Sequence, residues 1–519
     1  MLKSAFVSPV NLRLIFMFLS ISALISLTVP TLEGAEKKKS EKKEKGKKKK
    51  GNSGDSVEFS KDQKMIRLSN DTTEIQDKQF KGFTNLRKII IPKGVTSIGA
   101  EAFSGCKMLE SVVLPDTVTE IGKNAFEGCA KLRGIQLSNG VTVIPEGAFR
   151  NCLNLNSIVL PDGVEKIEKS AFEGCLALSA INLPKGLTEI NENAFKDCIS
   201  LEKISLPAGL TKIGGCAFSG CQRLASVTIP AGVTKWEKNP FARCANLTVN
   251  LASKHPAFIK YKDVIYSKDL TTLLHYTAKK RQTSYVFPKQ IRTVASGAFS
   301  GARNLRIISF PATLQKIEDE AFANCMNLTT VQFRNPEIML GKQAFANCTN
   351  LRTIDLPGKC TELPEKLFSG CSRLAQVKFP DSLAKIGDGV FENCVVLRQI
   401  TLPESLTTIG KKAFSGCSGF SQITLPKNVA EVGESAFEKC LRLQEIILPE
   451  GMTAIKKNTF SGCISLRKLV LPKSMETVEA GAFNKCDKLT RVQTLNPDME
   501  ENEEVFGKKI KLIKPRKKR

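Results

Sequence analysis

The chain has 519 residues and a formal net charge of +26 at pH 7. Its length excludes a miniature domain without a core, and length alone predicts several domains. The basicity is uneven, because residues 36–50 contribute +7 and residues 507–519 contribute +8. More than half of the net charge therefore lies near the two ends, where it affects surface association rather than the fold.

Residues 1–35 have the pattern of a signal peptide. An apolar run of 16 residues, Leu14–Val29, follows two basic residues, and small residues come next at Gly34 and Ala35. This predicts a secreted or cell-surface protein, although an uncleaved N-terminal anchor stays open. The rest of the chain has no second apolar run of spanning length, so no membrane span is expected after signal cleavage. Residues 36–59 are expected to be a Lys-rich disordered linker.

From residue 60 onwards, phenylalanine recurs at intervals of 23 residues in two blocks, 60–251 and 285–506. A fixed period over eighteen positions indicates a repeat array. The phenylalanines of the series are Phe80, Phe103, Phe126, Phe149, Phe172, Phe195, Phe218, Phe241, Phe299, Phe322, Phe345, Phe368, Phe391, Phe414, Phe437, Phe460, Phe483 and Phe506.

The consensus unit reads Phe-x-x-Cys-x-x-Leu-x-x-Ile-x-Leu-Pro and then x-x-Val-Thr-x-Ile-Gly-x-x-Ala. The alternating apolar positions before proline predict a short strand with one buried face. Proline ends this strand because it cannot donate to a β-ladder. The segment around Ala-Phe-x-x-Cys is long enough for one or two helical turns. One unit cannot bury its apolar side alone, so the units must stack on one another.

Cysteine follows the same period. Fifteen of the seventeen cysteines stand three residues after a repeat phenylalanine. No Cys-x-x-Cys pair suggests a metal site, and stacked parallel side chains point their sulfurs the same way, which disfavours disulfides. We therefore predict small buried residues in a tight corner. Cys216 and Cys360 fall outside the series, and a disulfide between Cys216 and Cys221 stays open.

These units resemble the BspA-like, or treponemal-type, leucine-rich repeat of secreted and surface proteins, as Leu109–Cys129 and Leu397–Cys417 illustrate. The resemblance covers about residues 60–506. It implies an α/β repeat solenoid, namely a right-handed leucine-rich repeat superhelix with a parallel sheet on its concave face. It also implies adhesion, binding to host matrix or cell-to-cell interaction, and it provides no shared catalytic residues.

Residues 252–284 interrupt the series, and we predict a β-hairpin island there, with strands in Lys262–Tyr266 and Thr271–Tyr276. Both histidines and three of the four tyrosines lie in this segment. Tyrosine is favoured as a binding anchor, but an inserted hairpin also needs a small core and can build one from aromatic residues. The candidate binding residues of the island are Tyr261, Tyr266, His275 and Tyr276.

A second candidate surface is formed by the outward residues of the predicted strands in the second block. Their hydroxyl and amide groups suit many shallow hydrogen bonds to a protein or a glycan. The alternative is that this sheet face is only solvated and binds no ligand. The candidates are Thr330, Gln332, Thr353, Asp355, Gln376, Lys378, Gln399, Thr401, Gln422 and Thr424.

The sequence contains no G-x-S-x-G, H-E-x-x-H or phosphate-binding glycine loop, so we expect no enzyme activity, no cofactor and no metal. The prediction is a non-enzymatic secreted or cell-surface protein that binds a protein or glycan through the solenoid. Host or extracellular-matrix molecules are among the possible partners. The alternative is binding to an anionic surface, such as cell-wall polymer or lipid headgroups, through the basic ends, including the C-terminal tail at 507–519. Export argues against nucleic acid as the partner.

Overall fold

The structure, a computed structural model, describes most of the chain from Phe59 to Pro515. The predicted signal peptide and nearly all of the predicted linker lie outside the described residues, and so does the candidate Gln399. The described ranges are 59–277, 281–398, 400–500, 503–506 and 509–515.

Each 23-residue unit forms one turn of a solenoid, and most units have a front strand and a shorter return strand. Front strands of successive turns pair in parallel, as Ile135 with Ile158. Return strands do the same, as Ile144 with Ile167. Because the register advances by one unit each time, identical positions stack into columns. The leucine-rich repeat solenoid with parallel sheets is confirmed.

The front strands are Met65–Arg67, Lys88–Ile90, Ser111–Val113, Gly134–Gln136, Ser157–Val159, Ser226–Ile229, Thr248–Leu251, Ser284–Tyr285, Ile307–Phe310, Thr330–Phe333, Thr353–Asp355, Gln376–Lys378, Gln422–Thr424, Glu445–Ile447, Lys468–Leu471, Arg491–Thr494 and Lys511–Ile513. The return strands are Glu74–Ile75, Ser97–Ile98, Glu120–Ile121, Val143–Ile144, Lys166–Ile167, Glu189–Ile190, Lys212–Ile213, Thr293–Val294, Lys316–Ile317, Met339–Leu340, Glu362–Leu363, Lys385–Ile386, Thr408–Ile409, Glu431–Val432, Ala454–Ile455 and Thr477–Val478. The island strands are Phe258–Tyr261, Val264–Ser267 and Thr272–Tyr276, and the helix is Glu503–Phe506.

The segment around each repeat phenylalanine is a run of hydrogen-bonded turns, where the sequence predicted one or two helical turns. The amide of Cys129 donates to the carbonyl of Phe126 at 3.2 Å, while the amide of Phe126 donates to Ala148 of the next unit at 2.8 Å. Asn124 and Gly128 have φ values of 55° and 70°. A left-handed residue on each side of the phenylalanine cannot belong to a right-handed helix, so the backbone bonds run between units instead.

The repeat phenylalanines form a column of stacked rings inside the solenoid. The ring centroids of Phe103 and Phe126 lie 5.2 Å apart, with 9° between their planes. The column is continuous over Phe80–Phe241 and again over Phe299–Phe506. Each stacked pair contributes about 0.5–1.5 kcal/mol beyond simple burial. The column therefore stabilises every junction between turns.

The fifteen cysteines of the series are buried, as predicted, and they also make hydrogen bonds. Cys152 Sγ donates to the carbonyl of Phe126 in the preceding unit at 3.1 Å, and Cys348 Sγ donates to Phe322 at 3.3 Å. Burial raises the pKa of the Cys152 thiol to about 12, which keeps the proton that this bond requires. All seventeen cysteines are free thiols, so Cys216 forms no disulfide.

We expect a thiol reagent to separate the cysteines into two groups. Only Cys216 and Cys360 are partly exposed, so these two should react in the native protein. Burial raises the pKa of both thiols, which makes even their reaction slow, since the thiolate is the nucleophile. Alkylation followed by mass spectrometry, with and without denaturant, measures this. Rapid native labelling of the other fifteen would contradict the buried column.

The island is a sheet of three antiparallel strands, one more than the predicted hairpin. Phe258–Tyr261 pairs with Val264–Ser267, which pairs in turn with Thr272–Tyr276. The last of these strands also pairs in parallel with the return strand Thr293–Val294. The island therefore continues the return sheet of the second block.

Both faces of the island sheet are buried, one against each block. The residues that join the hydrophobic core of the first block are Phe258, Ile265 and Leu274. The residues that join the core of the second block are Val264, Tyr266, Leu273 and Tyr276. Neighbouring residues of one strand thus serve two different cores, which explains why consecutive residues are buried along Val264–Ser267 and Thr272–Tyr276 instead of every second residue.

The front sheet extends into the predicted basic tail. Lys511–Ile513 pairs in parallel with Arg491–Thr494, and Ile510 and Leu512 are buried. The prediction that 507–519 lies outside the solenoid is therefore wrong for this strand. Ile510 and Leu512 complete the core of the last turn, and the surrounding lysines mask that signal in the sequence.

Candidate binding surface

The outward side chains of the front strands form an exposed polar surface in the second block. Along Thr353–Asp355, the two outer residues are exposed, while Ile354 between them is buried. The predicted residues Gln332, Thr353, Asp355, Gln376, Lys378, Thr401, Gln422 and Thr424 are all exposed, and Thr330 is half-buried. Strand pairing makes neighbours of the candidates, as Asp355 with Lys378.

A shallow depression of about 270 Å³ lies beside this surface. Gln332 and Asp355 line it together with Arg334, Asn335 and Gly358. It combines amide, carboxylate and guanidinium groups at the end of two adjacent front strands. These groups can form hydrogen bonds to a polar ligand that lies across the strands.

The island contributes one exposed candidate and three buried ones. Tyr261 is 47% exposed, and the Lys262 ammonium lies 5.2 Å from its ring centroid. Tyr266, His275 and Tyr276 are at most 3% exposed. Their prediction as ligand-contacting residues is wrong, because the inserted sheet needs these aromatic side chains to fill the space between the two blocks.

His275 is held inside the protein as a neutral imidazole. The side-chain oxygen of Asn239 accepts the amide of Phe241 at 3.0 Å, which orients the Asn239 nitrogen toward His275 Nδ1, 3.2 Å away, and toward the carbonyl of Gly297 at 2.8 Å. Nδ1 is therefore the acceptor. Burial lowers the pKa of His275 to about 4. The ring joins the blocks and cannot reach a solvent-borne substrate.

Metal ligation finds no support in the described residues. Across the parts of the chain that the structure describes, no group of three or more His, Cys, Asp and Glu side chains could hold a metal ion. In the same residues, no helix has the length and apolarity needed to cross a membrane.

Sequence reasoning did not find a row of arginines at the edge where the chain enters the front strands of the second block. We call this row the arginine edge. It consists of Arg303, Arg306, Arg352, Arg373, Arg398, Arg442, Arg467 and Arg491, all exposed. In the described residues, the arginine ion pairs all lie in the first block: Arg87–Glu110, Arg150–Glu127, Arg223–Glu202 and Arg243–Asp197.

The 23-residue turn, the buried leucine and phenylalanine columns and the parallel front sheet define a leucine-rich repeat solenoid. The family model described as a BspA type leucine-rich repeat region (6 copies) matches residues 58–177, 142–262, 275–398 and 385–512. Together these matches cover most of the chain. The protein belongs to the BspA-type leucine-rich repeat family, as the sequence resemblance implied.

Solved structures with similar chains include three bacterial leucine-rich repeat proteins. One from Bacteroides ovatus is 28% identical, covering 74% of this chain and 84% of that one, with a TM-score of 0.34. A leucine rich cell surface protein from Faecalibacterium prausnitzii is 20% identical, covering 83% and 88%, with a TM-score of 0.36. One from Eubacterium ventriosum is 21% identical, covering 78% and 84%, with a TM-score of 0.37. No curated protein sequence matches the chain significantly.

Proposed function

We propose that this protein is a non-enzymatic, secreted or cell-surface binding protein that engages a protein or glycan partner through the front surface of the second block. The observation that carries the proposal is the exposed face of threonine and glutamine residues on the front strands Thr353–Asp355, Gln376–Lys378 and Gln422–Thr424. Such a face offers many hydrogen-bonding groups in a fixed geometry. Membership of the BspA-type family supports the proposal.

The burial of the repeat cysteines and of His275 supports a non-enzymatic role. The repeat cysteines are buried and protonated, and they donate to backbone carbonyls. His275 is neutral and enclosed between the blocks. The groups that catalysis would use as nucleophile or base therefore serve the interior of the solenoid.

A second candidate function is binding to an anionic surface through the basic ends. The charge of +7 on residues 36–50 and the eight basic residues of 507–519 favour it, since basic segments near a membrane surface contribute about 1 kcal/mol per residue. Such binding weakens steeply with salt. The hydrogen bonds that the front surface contributes are less sensitive to salt, so this part of the binding energy persists when salt rises.

An array of glycans and matrix proteins, probed with the full chain, tests the proposal. We expect captured ligands whose affinity falls about a hundredfold when Thr353, Gln376 and Gln422 are all changed to alanine, since each net hydrogen bond contributes about 1 kcal/mol. The control changes Ser111, Ser157 and Ser226, which occupy equivalent strand positions in the first block, to alanine. If both variants bound the ligand with equal affinity and deletion of residues 36–50 abolished binding, the basic ends would be the binding site instead of the front surface.

A further inference from the structure

Two positions of each unit lie side by side at the edge of the front sheet, namely the fifth and the seventh residue after the repeat phenylalanine. Arg223 occupies the fifth position of its unit and bonds Glu202 at the seventh position of the preceding unit, with Nη2 and Oε1 2.6 Å apart. Arg87 and Glu110, both at the seventh position, pair across one turn with Nη1 and Oε1 3.0 Å apart. Side chains at these positions therefore reach one another.

The second block places arginine where the first block has the acid. Arg352 and Arg373 stand in the same relation, 21 residues apart, as Glu202 and Arg223. Arg352 thus stands where the first block has the carboxylate of Glu202. The two positions of the ion pair therefore carry two positive charges on neighbouring turns. An anion can bind between two exposed positive groups that lie on neighbouring turns.

The arrangement is repeated along the sheet. Arg306, Arg352 and Arg398 all occupy the seventh position and are separated by two units each, which corresponds to roughly 10 Å at ~4.8 Å per strand. Further along, Arg467 and Lys488 again stand 21 residues apart at the two neighbouring positions. The edge therefore presents positive groups on several of the turns between Arg303 and Arg491.

On the return side of the same block, basic side chains form ion pairs with acidic ones. Lys385 pairs with Glu362 and Lys411 pairs with Glu434, each at 2.8 Å and each exactly one unit away in sequence. Opposite charges one unit apart neutralise that side of the solenoid. Among the residues that the structure describes, no arginine of the edge forms an ion pair, and Arg373 donates instead to Asn350 Oδ1 at 2.7 Å. The positive charge of the edge therefore extends into solvent.

We propose that the arginine edge binds a linear acidic polysaccharide, which lies along the solenoid axis with its sulfate or carboxylate groups on the arginines. Guanidinium groups bind such anions through two parallel hydrogen bonds. The sugar hydroxyls then meet the threonine and glutamine side chains of the adjacent front surface. The inference rests on the proposed function, because it names the ligand class for the same surface.

The surroundings of the edge favour a polysaccharide over a nucleic acid. Proteins that bind single-stranded nucleic acid combine basic grooves with exposed aromatic side chains on which bases stack. The aromatic rings of the units that carry the edge, such as Phe345, Phe368 and Phe391, are fully buried in the column. The repeat phenylalanines beside the edge are therefore not available as stacking platforms.

Binding of the full chain to heparin, polygalacturonate, neutral dextran and oligothymidylate tests the inference. We expect both acidic polysaccharides to bind and dextran not to bind. Changing Arg352 and Arg373 together to glutamate should weaken polysaccharide affinity by about tenfold or more, since each charge-assisted bond contributes more than a neutral one. The slope of log affinity against log salt should also fall by about two.

The matched control is the double variant Arg292→Glu and Lys457→Glu. It makes the same change in net charge at two exposed positions on the return side, and it should weaken binding by less than about twofold at moderate salt, where exposed charges beyond a Debye length are screened. The single variant Arg352→Glu recreates the Glu–Arg pair of the first block and keeps the fold. It should show an intermediate loss.

Three outcomes would overturn the inference: equal losses in the edge and control variants, stronger binding of oligothymidylate than of either polysaccharide, or no polysaccharide binding at all. In the last case the proposed function is judged separately. If the front-surface alanine variant still loses an array ligand, the proposed function stands without an acidic polysaccharide. If the array captures nothing, both proposals fail.

Discussion

Leu273→Ala and Leu274→Ala should each destabilise the protein by about 3 kcal/mol, but in different halves of the solenoid. The two side chains are adjacent in one island strand and point to opposite faces of the sheet. Leu273 belongs to the core of the second block and Leu274 to the core of the first. Both are buried, with exposures of 0% and 5%, so each truncation leaves a cavity in one core only.

Hydrogen exchange with mass spectrometry resolves the two effects. In the Leu273 variant, protection should fall first in the turns that follow Phe299. In the Leu274 variant, it should fall first in the turns that precede Phe241. Because solenoids unfold by local units, the loss is expected to fade with distance from the island. Equal loss on both sides in both variants would show that the island sheet does not separate two cores.

Phe149→Ala should lower the free energy of unfolding by about 4 kcal/mol, as expected for a fully buried phenylalanine. The ring is 0% exposed and stacks on two neighbours, with centroids 5.5 Å from Phe126 and 5.4 Å from Phe172. Truncation removes both stacking contacts and leaves a gap in the middle of the column. The adjoining turns lose their packing on that side.

Leu153→Ala is the control for this prediction. Leu153 lies in the same unit but is 41% exposed, so its truncation should cost less than about 1 kcal/mol. Denaturant unfolding followed by circular dichroism gives both values, with the slope of the transition compared as well as its midpoint. Similar midpoints for the two variants would mean that the column contributes little to stability.

The repeat was predictable because the sequence of a single unit shows which side chains must be buried against the neighbouring units. A phenylalanine at a fixed period can be buried only against its copies, so the sequence predicted the stacked units and the buried cysteines, while the parallel sheet followed from the family resemblance. The local conformation around Phe126 was harder to predict from the sequence. A helical turn and a series of reverse turns have similar apolar spacing, and the positive φ values at Asn124 and Gly128 follow from contacts with the next unit.

The island and the last strand were predicted incompletely for a different reason. Burial decreases along Phe258–Tyr261, from a buried first residue to an exposed last one, so this strand lacks the alternation that marks a strand with one buried face. Lys511–Ile513 has a single buried residue between two exposed ones. Neither segment can be recognised without its pairing partner.

The candidate surface was only partly predictable. Exposure of the front-strand residues follows from alternation, and the structure agrees for those it describes. The arginine edge escaped notice because its members stand at the fourth, fifth, seventh and eighth positions of their units. Only the neighbouring turns bring Arg352 and Arg373 to adjoining sites, as the ion pair between Arg223 and Glu202 in the first block demonstrates.

The constant 23-residue register has a consequence for how such a gene can change. In the described part of either block, the backbone of a turn bonds to equivalent atoms of the turn before and the turn after, so duplication or loss of a whole unit remakes just one junction. The island and the last turn lack this freedom, because each has side chains fitted to one particular neighbour. Unequal recombination can therefore alter the length of either block, and with it the number of arginines at the edge, while the interior stays intact.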